Sequence, residues 1–158
     1  NYFAFEPAPI AFSNLKENIK IQSNINVNIF NIGLWNVNKK LNFYLSEKSA
    51  DSSLIKPIEH SSIIEIQTQK LSNIIQKPIK LLKLEAEGGE PEVLEGIGDK
   101  LRFIEYISVD LGFERGMKSD STIPDVMNYL LKRNFECIAI ERFRLICLFK
   151  NKEYDFIN

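Results

Sequence analysis

The chain has 158 residues, of which 44% are hydrophobic and 26% charged, and this composition is typical of one globular domain rather than of a disordered chain. Its formal net charge of -1 gives no electrostatic reason to expect nucleic acid or an anionic membrane as a partner. No apolar segment approaches the roughly 20 residues that a membrane-spanning helix needs, and a signal-peptide pattern is absent, so the expected location is cytoplasmic.

The first part of the chain is expected to alternate strands with a helix. An aromatic-rich strand runs from Tyr2 to Phe5, and Pro7 then favours an extended conformation for Glu6. Apolar residues at helical spacing follow Pro9 and predict an amphipathic helix packed on a sheet. The next strand covers residues 27–30, and Gly33, Leu34 and Trp35 are interpreted as the turn beyond it.

The middle and the end of the chain continue this alternation. Strands are predicted at residues 41–45, 63–67, 81–84 and 104–111, and a polar loop at residues 46–54. Helical segments are predicted at residues 71–75, after Pro91 and at residues 122–133, and a hairpin of two strands at residues 135–140 and 143–149 closes the chain. Such alternation predicts a mostly parallel α/β sheet with helices on both faces, with the hairpin adding an antiparallel strand at its edge.

One stretch, LLKLEAEGGEPEVLEG at residues 81–96, joins an apolar run to a cluster of carboxylates. Leu81, Leu82 and Leu84 resemble a strand that is buried on both faces. Gly88 and Gly89 permit a sharp reversal with positive φ, and Pro91 suits the first turn of a helix. Because ligands of open α/β sheets bind beyond the carboxyl ends of the strands, a site is expected at this turn.

Four acidic residues fall at predicted strand ends, and each could equally be a helix cap or a solvated loop carboxylate. They are Glu6, Glu85, Glu87 and Asp110. Glu6 would suit a ribose, since a carboxylate that ends the second strand of a Rossmann-type sheet can accept hydrogen bonds from both ribose hydroxyls. Glu85 and Glu87 would share a face of an extended strand, unless the turn at Gly88 redirects Glu87. If the two carboxylates lie close together they shift one another's pKa, which favours one of them as a general base. Glu90, by contrast, fits a cap of the following helix.

The remaining chemistry-bearing residues favour structural interpretations. Cys137 and Cys147 have no metal-ligand spacing, and we expect two buried, reduced thiols that could face each other across the hairpin. His60 is the chain's one histidine and lies in a polar loop, so a histidine-based nucleophilic mechanism is not favoured. No metal site is predicted.

The motifs together resemble the FkbM-type S-adenosylmethionine-dependent methyltransferases. The strand-four signature of that family is similar to Lys83, Leu84, Glu85, Glu87, Gly88 and Glu90, followed by the Val-Leu-x-Gly of a helix. FEPAP at residues 5–9 is similar to the Phe-Glu-Pro ending of its second strand, and Asp110 falls where the family has an acid after strand five. The resemblance extends from about Tyr2 to Phe149.

The resemblance implies a Rossmann-like class I methyltransferase fold that uses S-adenosylmethionine, with O-methylation of a hydroxyl on a small molecule or saccharide. It implies cofactor-binding roles for Glu6 at the ribose, for Gly33 and Leu34 at the adenine side and for Glu85 at the methionine portion. Glu87 would meet the acceptor hydroxyl and Asp110 would belong to the catalytic set, while the polar loop at residues 46–53 would help to form the acceptor pocket.

Two departures from the family pattern bear on this hypothesis. Glu85 stands where aspartate is usual, and the first strand with its glycine-rich turn is missing, so residues 1–158 are interpreted as one methyltransferase domain truncated at its amino terminus. Strands two and four would then have unpaired edges, and the 158 residues alone are expected to bind the cofactor weakly. A catalytically silent Rossmann-like module of a larger protein and, less favoured, a nicotinamide-dependent oxidoreductase remain as alternatives.

Overall fold

The computed structural model describes residues 1–21, 26–47 and 51–154. Three α-helices and nine strands occur in this part of the chain, and short 3-10 helices lie before α2, after it and after the seventh strand. In chain order the elements are β1 (Tyr2–Phe5), α1 (Pro9–Ile21), β2 (Val27–Phe30), β3 (Gly33–Leu34), β4 (Lys40–Leu45), β5 (Ser62–Gln69), β6 (Ile79–Leu84), α2 (Glu90–Ile97), β7 (Ile104–Asp110), α3 (Ile123–Leu131), β8 (Phe135–Glu141) and β9 (Ile146–Asn151).

The described strands form three sheets rather than one mostly parallel sheet. They are β1-β2, β3-β5-β4 and β6-β7-β9-β8. The pairs β1–β2, β3–β5 and β6–β7 are parallel, whereas β4–β5, β7–β9 and β8–β9 are antiparallel. The α/β class is therefore confirmed, but the sheets are mixed rather than mostly parallel, because the β4–β5 hairpin supplies antiparallel pairs in addition to those of the closing hairpin.

The closing hairpin is present, but its strands take different places from those expected. β9 lies between β7 and β8 and is antiparallel to both, so the edge strand is β8. The second strand of the hairpin thus completes the interior of the sheet, and Phe149 on β9 is fully buried. Cys137 and Cys147 lie on these neighbouring strands as free thiols, and burial raises the pKa of the Cys147 thiol to about 11.

The main core lies between β6, β7, β9 and the helices α2 and α3. Its largest fully buried side chains include Leu94, Ile97, Ile107, Leu130 and Phe149. Burying each such side chain contributes roughly 1.5–3 kcal/mol. A smaller cluster of Ala8, Phe43 and Ile66 lies where α1 meets the β4–β5 hairpin.

Two local expectations for the strands are wrong. Leu81 is 54% exposed, so β6 is not buried on both faces, and among the described strands β6 pairs with β7 alone. Gly33 and Leu34 are not a turn: they form the short strand β3, which pairs in parallel with β5 at Thr68 and Gln69. The pairing from a strand distant in sequence overrode the turn preference of glycine.

Helix α2 is held by close contact with the segment that follows β3. A Cβ on Gly96 would lie 2.2 Å from the carbonyl oxygen of Trp35, and a Cβ on Gly89 would lie 2.5 Å from the Trp35 ring. Residues seven apart lie two turns apart on one side of a helix, so both glycines face Trp35. This contact fixes the start of α2, and with it the turn that precedes the helix. Within the described residues, no helix has the length and apolarity needed to cross a membrane.

Candidate active site at the ends of strands six and seven

The turn between β6 and α2 has an unusual backbone. Glu87 and Gly88 have φ angles of 49° and 88°, and the amide of Gly89 donates to the carbonyl of Ala86 at 3.0 Å. Positive φ at both central residues is the pattern of a type I′ turn, which glycine, asparagine and aspartate favour. A glutamate in this conformation is strained by about 1 kcal/mol or more, and such strain is concentrated at functional sites.

Glu90 stabilises this turn from inside the protein. Its side chain is 1% exposed, and Oε1 accepts hydrogen bonds from the amides of Ala86 at 2.8 Å and Gly88 at 3.2 Å. The predicted cap of α2 is therefore wrong in detail: Glu90 is the first residue of the helix, and its carboxylate binds the upstream turn as well as its own backbone amide. Burial raises the pKa of Glu90, an effect that these backbone hydrogen bonds oppose.

The end of β7 brings two further carboxylates to the same edge of the sheet. Leu84 on β6 pairs in parallel with Val109 on β7, so both strands end side by side. Asp110 is 5% exposed, and its Oδ1 accepts from the amide of Gly112 at 3.1 Å. A Cβ on Gly112 would lie 3.3 Å from both Asp110 Oδ1 and Glu114 Oε1, so this glycine leaves room for the two carboxylates.

Glu87 and Glu114 form a carboxyl pair across the two loops. Their side chains share a hydrogen bond, which requires that one of them carries a proton. Burial, and then the negative charge of Glu114, raise the pKa of the half-buried Glu87 to about 8. The pKa of the more exposed Glu114 is raised as well, by partial burial of its carboxyl group and by the charge of Asp110. The two acids therefore titrate as a pair, and burial favours Glu87 as the member that keeps the proton.

The polar loop that follows β4 also reaches this turn. The buried hydroxyl of Ser53 donates to the carbonyl of Glu87 at 2.8 Å, and the amide of Ile55 donates to the same hydroxyl at 3.0 Å. Asp51 lies close enough for its charge to raise the pKa of Glu87 further. The part of the predicted acceptor loop at residues 48–50 lies outside the described residues, but Ser53 at the end of the loop contacts the candidate site.

Other predicted site residues lie apart from the carboxyl pair. Glu85 is exposed, and its Oε1 is 3.0 Å from the Nζ of Lys83, so it does not face Glu87 as the strand pattern suggested. The reason is the turn, whose positive φ angles redirect the chain at Glu87. Glu6 is half-buried after β1, its Oε1 accepts from the amide of Ala8 at 2.8 Å, and burial raises the pKa of its carboxyl.

Gly33 and Leu34 lie within the fold rather than at a loop. A Cβ on Gly33 would lie 2.9 Å from the side chain of Ile66, and Leu34 packs against the main core. His60 packs edge to face against Tyr44 with ring centroids 5.1 Å apart. In the described ranges, no group of three or more histidine, cysteine, aspartate or glutamate side chains is arranged to hold a metal ion.

Sequence reasoning missed two residues of this edge, Glu114 and Arg115. Both lie in the loop LGFERG directly after Asp110. Their signal was available, because loops after parallel neighbouring strands meet at one edge of a sheet. The prediction of Glu85 beside Glu87 depended on a spacing of two, which places residues on one face only while the strand stays extended.

Comparisons with known proteins agree with the fold and with the motif. The family model described as the methyltransferase FkbM domain matches residues 1–137. Among solved structures, the crystal structure of a methyltransferase FkbM from Methylobacillus flagellatus KT is similar at a TM-score of 0.61 and 15% identity, over 94% of this chain and 36% of that one. At this identity the likeness shows a shared fold, and this chain spans about a third of that protein's length. A search of curated proteins gave no match.

Proposed function

The chain belongs to the FkbM methyltransferase family, and we propose that it acts in S-adenosylmethionine-dependent transfer of a methyl group to a hydroxyl oxygen of a small molecule or saccharide. The observation that carries this proposal is the family match over residues 1–137, which includes β1, the turn at Glu87 and the end of β7. The carboxyl pair at the joint end of two parallel strands supports it, since that edge is where α/β folds bind their ligands.

The side chains available at the strand ends fit the proposed cofactor in part. Glu6 follows the end of β1, and within the described residues only its Oε1 has a hydrogen bond, which leaves Oε2 for a ribose hydroxyl. Glu85 is solvent-accessible, so it can turn toward the methionine portion if it leaves Lys83. The assignment of Gly33 and Leu34 to the adenine side stays a prediction and would use the surface of β3 rather than a turn.

Methyl transfer to a hydroxyl requires that the hydroxyl is oriented toward the methyl group and that one group accepts its proton. S-adenosylmethionine supplies a methyl group on a positively charged sulfur, which an oxygen nucleophile displaces in line. The chain's residues need to hold the acceptor hydroxyl and remove its proton, and we assign the removal of this proton to Glu87 as general base. With a pKa raised to about 8, an ionised Glu87 is a stronger base than an ordinary carboxylate.

The remaining acids have supporting roles in this proposal. Glu114 accepts the hydrogen bond of protonated Glu87, and the negative charge of Asp110 raises the pKa of Glu114. Arg144 balances Asp110, since its Nη2 lies 3.4 Å from Asp110 Oδ2. The loop at Ser53 would form part of the acceptor pocket, because it is bonded to the backbone of Glu87 itself.

The test uses isotopically labelled S-adenosylmethionine with a panel of hydroxyl-bearing small molecules and saccharides, and mass spectrometry of the products. We expect Glu87→Gln to lower turnover by about 10²–10⁴-fold with cofactor affinity nearly unchanged, and the wild-type rate to rise with pH through about 8. Glu65→Gln, an exposed glutamate on β5, is the matched control and should retain full turnover. Full turnover of Glu87→Gln would remove the base assignment, whereas cofactor binding without transfer by wild type would favour a silent module.

A further inference from the structure

Arg115 joins the loop after β7 to the first turn of α2 through a fork of hydrogen bonds. Its Nη1 lies 2.9 Å from Glu92 Oε2 and its Nη2 lies 2.6 Å from Glu92 Oε1. Nη1 also donates to the carbonyl of Gly88. The side chains of Arg115 and Glu92 are 27% and 19% exposed, so this bidentate pair is largely shielded from water. Bidentate pairs of arginine and carboxylate combine strength with a fixed geometry.

The backbone of Arg115 fits the same turn. A Cβ on Gly88 would lie 2.5 Å from the Cα of Arg115, so only glycine allows the two chains to approach this closely. Arg115 is itself fixed by two backbone hydrogen bonds with Asp120, at 3.0 and 3.1 Å. The loop after β7 is therefore a closed unit that is docked on Gly88 through both its backbone and its guanidinium.

We propose that Arg115 is the positioning residue that sets the distance between Glu87 and Glu114. Glu114 directly precedes Arg115, and Glu87 directly precedes Gly88, so docking of Arg115 on Gly88 brings the two glutamates together. Two carboxyl groups would otherwise separate as soon as both ionise, because like charges repel. The bonds to Glu92 and to the Gly88 carbonyl oppose that separation.

Glu92 also affects the charge around the Glu87–Glu114 pair, because it forms the ion pair with the Arg115 guanidinium. The groups that face Glu87 are Glu114, Asp51 and Glu90, all of them acids, and Glu114 also faces Asp110 and Glu90. Arg144, on the turn between β8 and β9, is the cation that acts on Glu114. The guanidinium of Arg115 is turned to Glu92 instead, so it holds the loops together without neutralising the carboxyl pair.

The test is a titration of the glutamate carboxyl carbons by ¹³C NMR in the full chain. Arg115→Lys keeps the positive charge but cannot form the fork, so the carboxyl pair should open, and the apparent pKa of Glu87 should fall from about 8 by about one pH unit or more. Arg142→Lys, at an exposed arginine of the hairpin, is the matched control and should leave the titration unchanged. A folded Arg115→Lys variant with the wild-type titration would overturn the proposal.

A second variant keeps the test decisive if Arg115→Lys does not fold. Glu92→Gln releases the guanidinium, which should turn to the carboxyl pair and lower the apparent pKa of Glu87 by adding a nearby cation. An unchanged pKa in Glu92→Gln would contradict the assigned role of Glu92. The inference rests on the proposed function only for the catalytic use of the pair: the titration needs no substrate, so it can succeed even if methyl transfer by this chain is disproved.

Discussion

Replacement of Glu87 by glutamine should make the stability of the fold less dependent on pH. The pKa of Glu87 is raised from 4.5 to about 8 in the folded chain, so between these values the folded state binds more protons than the unfolded state. Stability then falls as pH rises through this window and levels off above about 8. Glutamine resembles the protonated acid and carries no charge at any pH. The stability of the variant should therefore not show the decrease with pH that Glu87 causes.

The size of the stability difference follows from the pKa shift of Glu87 and from how far its side chain is buried. A rise from 4.5 to about 8 corresponds to an upper bound of about 5 kcal/mol at 1.36 kcal/mol for each pH unit. Glu87 is only half-buried and Glu114 is exposed, so water screens the repulsion. We therefore expect Glu87→Gln to gain about 2 kcal/mol over wild type between pH 5 and pH 9.

The assay is urea unfolding of both proteins at pH 5, 6.5, 8 and 9, followed by circular dichroism. Near pH 5 the two free energies of unfolding should be similar, and the variant should become the more stable protein by pH 8. Glu65→Gln controls for the loss of an exposed negative charge and should follow wild type at each pH. A difference between Glu87→Gln and wild type that stays constant from pH 5 to pH 9 would refute the raised pKa.

Two further predictions concern other parts of the fold. Gly96→Ala should destabilise the chain by about 2 kcal/mol although alanine favours helices, because its Cβ would lie 2.2 Å from the backbone carbonyl oxygen of Trp35; a thermal midpoint at or above that of wild type would contradict this contact. Glu6→Gln keeps an acceptor for the Ala8 amide but removes the charge, so calorimetry should show about tenfold weaker binding of S-adenosylmethionine, whereas unchanged affinity would exclude the ribose role.

The sequence by itself determined the kinds of element and the sharp reversal of the chain after β6. Apolar periodicity located the strands and helices, as for α3, which was predicted at residues 122–133 and runs from Ile123 to Leu131. The glycine pair, Pro91 and the neighbouring acids predicted the reversal after β6, and Gly88 indeed has positive φ. These features are local, since propensity and turn chemistry act over a few residues.

Only the tertiary structure decided which acids meet. Glu85 was expected beside Glu87, yet the positive φ of Glu87 turns the chain, and the partner is Glu114 from a loop 27 positions later. That pairing depends on the parallel register of β6 with β7 and on the docking of Arg115 against Gly88. The sheet order, with β9 between β7 and β8, is likewise non-local. Such contacts arise from packing between distant segments, which the spacing of residues along the chain does not encode.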